Sequence, residues 1–396
     1  MKSSVCCSVT ILWCCLVGLV QPTEATFSPE DECRHWSQVI FSPGFEVDNI
    51  IFGVFSLATP TDQRSEVWRS TDGGRSWIRL RVSQEGPPFP VGISRSYAAD
   101  QTLFIKDSST VARSTDGGLS WSVMGQLPND PDSAWRLEAI SANEVFAVGH
   151  YPRPYSGSRE RGVWHTLDGG KTWTRIYGEH TVTALAISPS YPNDPTLFIA
   201  PYEYKSVGGI YRSTDAGRTW LSANRGFPVG ASSSIVFRIA PSPDYEHDGN
   251  VFTAGVHALY VSRDRGEHWD FRETNPPQEF ADVTVSPYYA TDGIVLAMGL
   301  DAGLMVSRDR GDHWSTTTSF PGWQPSYSGP INAFATGPAS IGINVADYVS
   351  LDLGYSWSCL GSQTPPAPPE VPEGSTLLLL GSGLAGLAGY LWRKKR

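Results

Sequence analysis

The chain has 396 residues, with 39 Gly, 30 Pro and 14 Trp but only 18% charged residues. This composition suits many short strands joined by tight turns and argues against a helical bundle. Lys2 and Glu24 cancel within the first 25 residues and the last four residues are all basic, so the net charge of −10 leaves −14 on the body between them. An acidic body without a basic stripe argues against a nucleic-acid partner.

The first 25 residues predict an export signal. Lys2 precedes an apolar stretch at 9–20 (VTILWCCLVGLV), and residues 23–25 (TEA) form a small-x-small cleavage site. The alternative is that the apolar stretch is a buried first strand. If the signal is removed, four cysteines leave with it, namely Cys6, Cys7, Cys14 and Cys15.

One motif, Ser/Thr-x-Asp-x-Gly-x-x-Trp, occurs seven times in the body of the chain. Its aspartates are Asp72, Asp116, Asp168, Asp215, Asp264, Asp309 and Asp352, at intervals of 44, 52, 47, 49, 45 and 43 residues. Its tryptophans are Trp77, Trp121, Trp173, Trp220, Trp269, Trp314 and Trp357. Such a period is the pattern of a repeat architecture.

Each copy of this motif, here called a box, predicts a tight turn between two strands. The aspartate is expected to accept hydrogen bonds from backbone N–H groups of the turn, and the glycine to supply a positive φ. The tryptophan begins the next strand and packs under the turn. In the first unit the four predicted strands are 36–42, 50–55, 66–70 and 76–81.

A second element precedes most boxes, as in FSPGFEVDNIIF (41–52) and ISPSYPNDPTLF (187–198). This element predicts a strand, a turn that contains Ser and Pro, and a second strand. Units three and seven keep the two strands but lose the turn residues. Four short strands in each of seven units predict an all-β fold, a single seven-bladed β-propeller.

Two cysteines remain outside the export signal, Cys33 and Cys359. Cys33 lies three residues before the first predicted strand, and Cys359 lies three residues after the start of the last one. These two strands belong to neighbouring blades once the ring closes. We expect a disulfide that ties the first blade to the seventh, as suits an exported protein. Two unrelated free thiols are the alternative.

From residue 35 to 360 the boxes resemble Asp-box (BNR) repeats. These occur in sialidases, xyloglucan-degrading enzymes, sortilin-type receptors and photosystem II assembly and stability factors, and the resemblance implies that the boxes are structural turns away from the working face. Sialidases have a Phe/Tyr-Arg-Ile-Pro motif, and the nearest match here, FRIA at 237–240, lacks the proline and is interpreted as a strand. Xyloglucanases place two carboxylates between two propellers, whereas this chain has one propeller.

Ligands are then expected on the face opposite the boxes, in the loops at 150–162, 201–207 and 320–327. These loops combine aromatic rings with charges, a composition suited to sugars or to a peptide terminus. The candidate residues are Arg153, Tyr155, Arg159, Arg161, Tyr202, Glu203, Tyr204, Trp323 and Tyr327. Ordinary solvated loops are the alternative interpretation.

No cofactor and no metal site are predicted. The histidines are scattered, and His268 and His313 occupy the same position of two boxes, as repetition alone requires. The boxes also lack the further carboxylates of a calcium-binding loop.

The C-terminal segment differs from the rest of the chain. After a Pro-rich linker at 363–374, residues 375–392 carry no charge and predict a transmembrane helix, with the basic residues 393–396 on the cytoplasmic side. The segment resembles the PEP-CTERM sorting signal of Gram-negative bacteria through Val371, Pro372 and Glu373, with Gly374 where that family has proline. The resemblance implies processing by an exosortase-type transpeptidase and delivery to the envelope, the cell surface or an extracellular matrix.

The sequence therefore favours an exported, non-enzymatic binding or assembly module whose propeller spans residues 26–362, after a signal at 1–25. Its partner would be a protein or glycan ligand. The alternative is a secreted glycoside hydrolase, sialidase-like or polysaccharide-degrading, on the same propeller.

Overall fold

A computed structural model gives the structure of the chain. It describes residues 24–25, 36–58, 63–83, 91–107, 109–127, 134–150, 162–202, 208–228, 235–256, 258–274, 279–301, 303–317, 331–337, 340–345, 348–351, 353 and 358–360. Strand β1 (Glu24–Ala25) precedes the repeats and pairs with the outer strand of the first blade. The remaining strands form seven antiparallel sheets of four strands each, in sequence order from the inside outwards.

The first four blades follow the predicted units. Blade 1 contains β2 (Trp36–Phe41), β3 (Ile51–Ala58), β4 (Gln63–Ser70) and β5 (Trp77–Ser83). Blade 2 contains β6 (Val91–Ile93), β7 (Leu103–Asp107), β8 (Thr110–Ser114) and β9 (Ser122–Gln126). Blade 3 contains β10 (Ala134–Ala139), β11 (Val145–His150), β12 (Gly162–Thr166) and β13 (Thr174–Tyr177). Blade 4 contains β14 (Thr181–Ile187), β15 (Leu197–Tyr202), β16 (Tyr211–Ser213) and β17 (Leu221–Ser222).

The last three blades repeat the same order. Blade 5 contains β18 (Val236–Pro241), β19 (Val251–Gly255), β20 (Ala258–Ser262) and β21 (Asp270–Arg272). Blade 6 contains β22 (Phe280–Val285), β23 (Val295–Gly299), β24 (Gly303–Ser307) and β25 (Ser315–Thr316). Blade 7 contains β26 (Ile331–Gly337), β27 (Ser340–Val345), β28 (Tyr348–Ser350) and β29 (Ser358–Cys359). The prediction of an all-β, seven-bladed propeller is confirmed.

The core lies between neighbouring blades, where the second strands are almost completely buried. Phe52, Phe104, Phe146, Phe198 and Phe252 occupy equivalent positions on these strands, and each is at most 1% exposed. Because each sheet buries its faces only against its neighbours, the ring of blades is the unit that folds.

The first strands of the blades, here called the inner strands, are joined around the ring by side-chain hydrogen bonds. Gln38 of blade 1 bonds to both the N–H and the C=O of Val91 in blade 2. At the closing junction Asn332 of blade 7 donates to the carbonyl of Val39 in blade 1, at 3.4 Å. Leu360 of blade 7 also packs with the blade 1 core.

The Ser/Pro turn of the second element contains a one-turn helix in four blades, a detail the sequence did not predict. The helices are α1 (Phe45–Asp48), α2 (Tyr97–Asp100), α3 (Tyr245–Asp248) and α4 (Tyr289–Asp292), in blades 1, 2, 5 and 6. In blade 1 the Ser42 hydroxyl donates to Asp48 at 2.6 Å, and this serine–aspartate bond recurs in blades 2, 4, 5 and 6. In blades 3 and 7, whose units lack these turn residues, five and two residues separate the first and second strands.

The hydrogen bonds predicted for the boxes are present. In the first box Asp72 Oδ1 accepts from the backbone N–H groups of Arg75 and Ser76, and the indole of Trp77 donates to the Gly74 carbonyl at 2.9 Å. The residue between Asp and Gly also has a positive φ, and in later boxes it is Ala216, Arg265, Arg310 or Leu353. The sequence predicted a positive φ only for the residue that follows, because that residue is glycine in all seven boxes.

Each described box lies beside the first turn of its own blade. The N–H of Gly73 donates to the carbonyl of Asn49, and the equivalent bond occurs in blades 2 to 6. First turns and boxes therefore form one end of the propeller, here called the box face. The loops between second and third strands and between blades lie at the other end, the opposite face.

Several predicted features lie outside the described residues. These are the signal stretch at 9–20, Cys33, Asp352, Trp357 and the whole segment from 361 onwards with its linker, sorting motif, apolar helix and basic end. Cys359 lies in β29, but its side chain is not among those described, so the predicted disulfide stays a prediction. Within the described ranges, no helix has the length and hydropathy required to cross a membrane.

Candidate functional site

A layer of polar and charged side chains occupies one position of the inner strands. Gln38, Arg136, Arg238 and Asp282 each pair with a second-strand residue two places after the buried Phe or Leu of that strand. Blade 4 has the small residue Ala184 at this position. Inner strands surround the central channel of a propeller, so these side chains lie beside the channel.

This layer, here called the channel layer, lies nearer the opposite face than the box face. Each inner strand begins at the opposite face, and Arg136 and Arg238 are the third residues of β10 and β18. The strands of blades 1, 4, 5 and 6 contain a β-bulge beside this position. Bulges of this kind are frequent where a sheet presents side chains to a binding site.

Asp282 is the most buried member of the channel layer. Its side chain is 6% exposed, and its two oxygens accept the backbone N–H groups of Val283 and, in blade 7, Ile331. Burial raises the pKa of this carboxyl group, while the charge of Arg238 and the two N–H donors oppose the shift. Asp282 therefore joins blades 6 and 7 and has little freedom to act on a ligand.

The two arginines of the channel layer have charged neighbours but few hydrogen bonds. Arg238 Nε lies 3.5 Å from Asp282 Oδ1 without a hydrogen bond, and Arg136 Nε lies 3.6 Å from Glu138 Oε1. The positive charge of Arg238 is the largest influence on Arg136 and lowers its pKa, followed by burial.

Both arginine side chains keep part of their surface accessible. Arg136 retains 35% and Arg238 27% of its side-chain surface accessible, although both are on inner strands.

On the box face, two sets of contacts join blades that are not neighbours, over blades 3 and 7. Arg95 of blade 2 donates to the carbonyls of Ile187, Ser188 and Pro189 in blade 4, at 2.8–3.3 Å. Tyr288 of blade 6 donates to Glu46 of blade 1 at 2.5 Å. Blades 3 and 7 lack the long first turn, so their neighbours reach across them.

The boxes themselves have few free polar groups. In the third box Asp168 accepts from Lys171 N–H, Thr172 N–H and the hydroxyls of Thr166 and Thr172. These hydrogen bonds hold the pKa of the Asp168 carboxyl well below its usual range, chiefly the bond from the Thr172 hydroxyl. A carboxylate committed in this way serves its turn and is poorly suited to acid–base chemistry.

The loops predicted to bind ligand are largely outside the described residues. Of the nine candidates, Tyr202 is described; it ends β15 at the opposite face and is half-buried. The others are Arg153, Tyr155, Arg159, Arg161, Glu203, Tyr204, Trp323 and Tyr327. The FRIA stretch at 237–240 lies in β18, as predicted, and it contributes Arg238 to the channel layer.

Metal binding finds no support in the described ranges. No group of three or more His, Cys, Asp or Glu side chains is arranged to hold a metal ion. His313, in the sixth box, is 2.5 Å from Asp309 and completes the hydrogen bonds of that turn.

The sequence did not single out the channel layer. Gln38, Arg238 and Asp282 all lie four residues before the serine of their first turn, so aligning the units on that serine would have brought them together. Arg136 lies five residues before Ser141 in the shortened turn of blade 3, and only its pairing with Val148 places it in the layer.

The chain partly matches one sequence family and two curated proteins. Residues 97–239 match the family described as photosynthesis system II assembly factor YCF48. Oligoxyloglucan-reducing end-specific xyloglucanase from Emericella nidulans is 29% identical over 166 residues, 37% of this chain and 20% of that protein. A probable enzyme of the same name from Neosartorya fischeri is 32% identical over 171 residues, 41% of this chain. The match spans about a fifth of each of these relatives.

Solved structures share the fold over most of the chain. YCF48 bound to D1 peptide has a TM-score of 0.54 at 15% identity and covers 81% of this chain and 94% of its own. YCF48 from Cyanidioschyzon merolae has a TM-score of 0.52 at 16% identity, covering 80% and 94%. The GH74 enzyme of Niastella koreensis has a TM-score of 0.57 at 15% identity, covering 82% of this chain and 53% of the enzyme. At these identities the likeness concerns the fold alone.

Proposed function

We propose that this chain is a non-enzymatic binding or assembly module that receives a protein or glycan ligand at the face opposite the boxes. The observation that carries the proposal is the contrast between the two ends of the ring. On the box face, box aspartates such as Asp168 are committed to their turns, and Arg95 and Tyr288 are committed to contacts across blades 3 and 7. The channel layer, nearer the opposite face, holds two partly exposed arginines that make ion pairs but donate no hydrogen bond to a described residue.

The described carboxylates support binding over hydrolysis. A glycoside hydrolase needs two carboxyl groups that face one another across the scissile bond. On the inner strands these would be Glu138 and Asp282, and Asp282 is 6% exposed with both oxygens accepting backbone N–H groups. This pair is therefore unsuited to acid and nucleophile roles.

A secreted glycoside hydrolase remains the second candidate because of the xyloglucanase matches. They cover 166–171 residues at 29–32% identity, while the fungal enzymes extend far beyond the matched part. Incubating the full-length chain with xyloglucan oligosaccharides distinguishes the two. A binding module leaves them intact, whereas release of shorter saccharides would establish the hydrolase.

Binding itself is tested by presenting the full-length chain to peptide and glycan arrays. Retention on one ligand class is expected, and it should be weakened when residues of the opposite face are changed. Tyr202→Ala is the variant of choice, since Tyr202 ends β15 at that face. The box residue Arg75→Ala, which is exposed on the other face, is the control and should bind like the unchanged chain.

We also propose that the module is exported from a Gram-negative cell and displayed in the envelope, at the surface or in a matrix. The support is the signal-like segment at 1–25 and the resemblance of 371–396 to a PEP-CTERM sorting signal, which implies an exosortase-type partner. Mass spectrometry of the mature protein should find an N-terminus near Thr26 and a Cys33–Cys359 disulfide. Two free thiols would refute the disulfide.

The sorting role has its own test. Deletion of 371–396 should release a folded propeller into the medium, because the apolar helix would no longer hold it in the membrane. Retention of the shortened chain in the envelope would contradict the sorting proposal.

A further inference from the structure

The outer rim of the propeller has a strand whose free edge carries an exposed aromatic ring. Strand β21 (Asp270–Arg272) is the outermost strand of blade 5 and pairs with β20 on one side only. Within the described ranges, no backbone group bonds to its other edge. Phe271, in the middle of the strand, is 54% exposed. A free strand edge with an apolar side chain is a template on which another strand can pair.

Blade 1 shows that a blade of this propeller can accept a fifth strand. There β1 pairs antiparallel with the outer strand β5, with Ala25 opposite Trp77. The outer edge of a blade therefore presents backbone donors and acceptors at the spacing that an added strand needs. In blade 5 no described strand takes this place.

Phe271 borders an apolar groove between blades 4 and 5. It lies opposite Tyr260 of β20, with 5.8 Å between the ring centroids, and Tyr260 packs in turn on Phe227 at 4.5 Å. Leu221 of blade 4 is 71% exposed and pairs with Arg212, whose guanidinium donates to a backbone carbonyl of blade 5. Because residues directly opposite in a sheet share a face, Leu221 also faces blade 5. The two exposed apolar side chains thus line the same groove.

The residues on either side of Phe271 have opposite charges. Asp270 and Arg272 project from the other face of β21, with Arg272 Nη2 3.8 Å from Asp270 Oδ2. Their side chains are 50% and 21% exposed. When two β21 strands pair antiparallel about Phe271, Asp270 of each copy lies opposite Arg272 of the other. The strand is therefore complementary to itself, as a two-fold interface requires.

This complementarity distinguishes blade 5 from the other described outer strands. Three of those strands also carry an exposed apolar residue, namely Val82, Val123 and Leu221. Their neighbours in the chain are Arg81 and Ser83, Ser122 and Met124, and Trp220 and Ser222. None of these is a pair of opposite charges. Among the described outer strands, β21 alone combines an apolar centre with complementary flanking charges.

We propose that two copies of this chain associate by antiparallel pairing of their β21 strands, with Phe271 on the two-fold axis. The two blade 5 sheets then form one continuous sheet, and the Phe271 rings of the two copies cover one another beside the groove. Because the strand is short, the interface is small and the dimer is in equilibrium with the monomer. The association uses the outer rim and does not depend on the ligand proposed for the opposite face.

Sedimentation velocity of the full-length chain, over a series of micromolar concentrations, measures this association. We expect the average mass to rise from monomer towards dimer as the concentration increases. Phe271→Glu and Phe271→Arg should each weaken the dimer at least tenfold, because two like charges then meet at the two-fold axis. An unchanged chain that stays monomeric, or a dimer that Phe271→Glu leaves intact, would overturn the proposal.

Mixing the two variants tests the pairing itself. An equimolar mixture of Phe271→Glu and Phe271→Arg places a carboxylate opposite a guanidinium and should restore dimers that contain one copy of each variant. Misfolding of either variant could not produce this rescue, and circular dichroism checks that both are folded. A mixture of folded variants that stays monomeric would overturn the pairing about Phe271.

Two further variants locate the interface. Val123→Glu changes a similarly exposed residue, also two places after the box tryptophan, in blade 2. It is the matched control and should dimerise like the unchanged chain. Asp270→Arg places two arginines opposite one another and should weaken the dimer. If Val123→Glu weakens association as much as Phe271→Glu does, the assignment to blade 5 is refuted.

Discussion

Tyr288 in blade 6 donates a hydrogen bond to Glu46 in blade 1, across the blade that lies between them. Arg95 makes the corresponding connection from blade 2 to blade 4, over blade 3. Both connections occur where the intervening blade lacks the long first turn. Contacts between non-neighbouring blades on the box face therefore occur over blades 3 and 7, the two blades without the long first turn.

The contacts of Arg95 predict a measurable loss of stability. Arg95→Ala removes three hydrogen bonds from a charged donor, and we expect it to lower the free energy of unfolding by about 1–2 kcal/mol, because the side chain is partly solvated. Urea unfolding measures this change. Tyr288→Phe, which removes one hydrogen bond at an exposed position, serves as the comparison and should cost less; equal effects would contradict the role given to Arg95.

The buried position of Asp282 predicts a larger effect. Asp282→Ala leaves the N–H groups of Val283 and Ile331 without acceptors and Arg238 without its counter-charge. Breaking a buried ion pair in this way costs about 3–5 kcal/mol. Asp282→Asn keeps one carbonyl acceptor and should cost less. Chemical unfolding of both variants gives the comparison, and a change below about 1 kcal/mol for Asp282→Ala would show that the carboxylate does not join blades 6 and 7.

Substitutions at two box glycines distinguish the free-energy cost of backbone strain from the cost of a steric clash. Gly73 and Gly118 both have positive φ, but a Cβ at Gly73 would meet no atom within 4 Å, whereas at Gly118 it would lie 2.4 Å from Leu80 Cδ1. Gly73→Ala should therefore cost about 1 kcal/mol, from the left-handed backbone alone. Gly118→Ala should cost about 2–4 kcal/mol, since repacking is added. Thermal or urea unfolding measures the loss of stability of each variant. Equal losses would show that the clash with Leu80 adds nothing to the backbone strain.

The box aspartates predict a loss of stability in acid. Hydrogen bonds, first of all from the Thr219 hydroxyl, lower the pKa of Asp215 from 3.8 to about 2. A carboxyl group whose pKa is lower in the folded state contributes its stabilisation above about pH 4, and this contribution is lost as the pH falls towards 2. The melting temperature of Asp215→Asn should therefore lie below that of the unchanged chain at pH 7. The difference should shrink between pH 4 and pH 2; a difference constant over that range would refute the assignment.

Much of the fold could be predicted from the sequence because each blade repeats the same local chemistry. An Asp–Gly turn, a tryptophan and four short strands recur in every unit, so blade number and strand order followed directly. The helices α1 to α4 were missed, since one turn of helix leaves no periodic pattern. The positive φ of the residue between Asp and Gly was not predicted, because non-glycine residues such as Ala216 and Arg265 occupy that position in later boxes. The guanidinium of Arg265 lies over Tyr245, 5.5 Å from the ring centroid.

The candidate site was harder to predict because it is assembled around the ring. Arg136 and Arg238 are 102 positions apart in the sequence, and nothing local marks them as neighbours. The sequence indicated instead the loops rich in aromatic and charged residues, such as the loop that contains Arg153 and Tyr155. The channel layer can be identified only from the strand pairing, which places its members at equivalent positions of the inner strands.

The proposed binding module holds a ligand at the face opposite its boxes and does not cleave it. The most direct measurement presents the full-length chain to an array of peptides and glycans and analyses each position both for retained protein and for cleaved product. We expect retention on one ligand class, weakened by Tyr202→Ala and not by Arg75→Ala, with every ligand intact. Cleavage of a glycan, or retention weakened by Arg75→Ala and not by Tyr202→Ala, would contradict it.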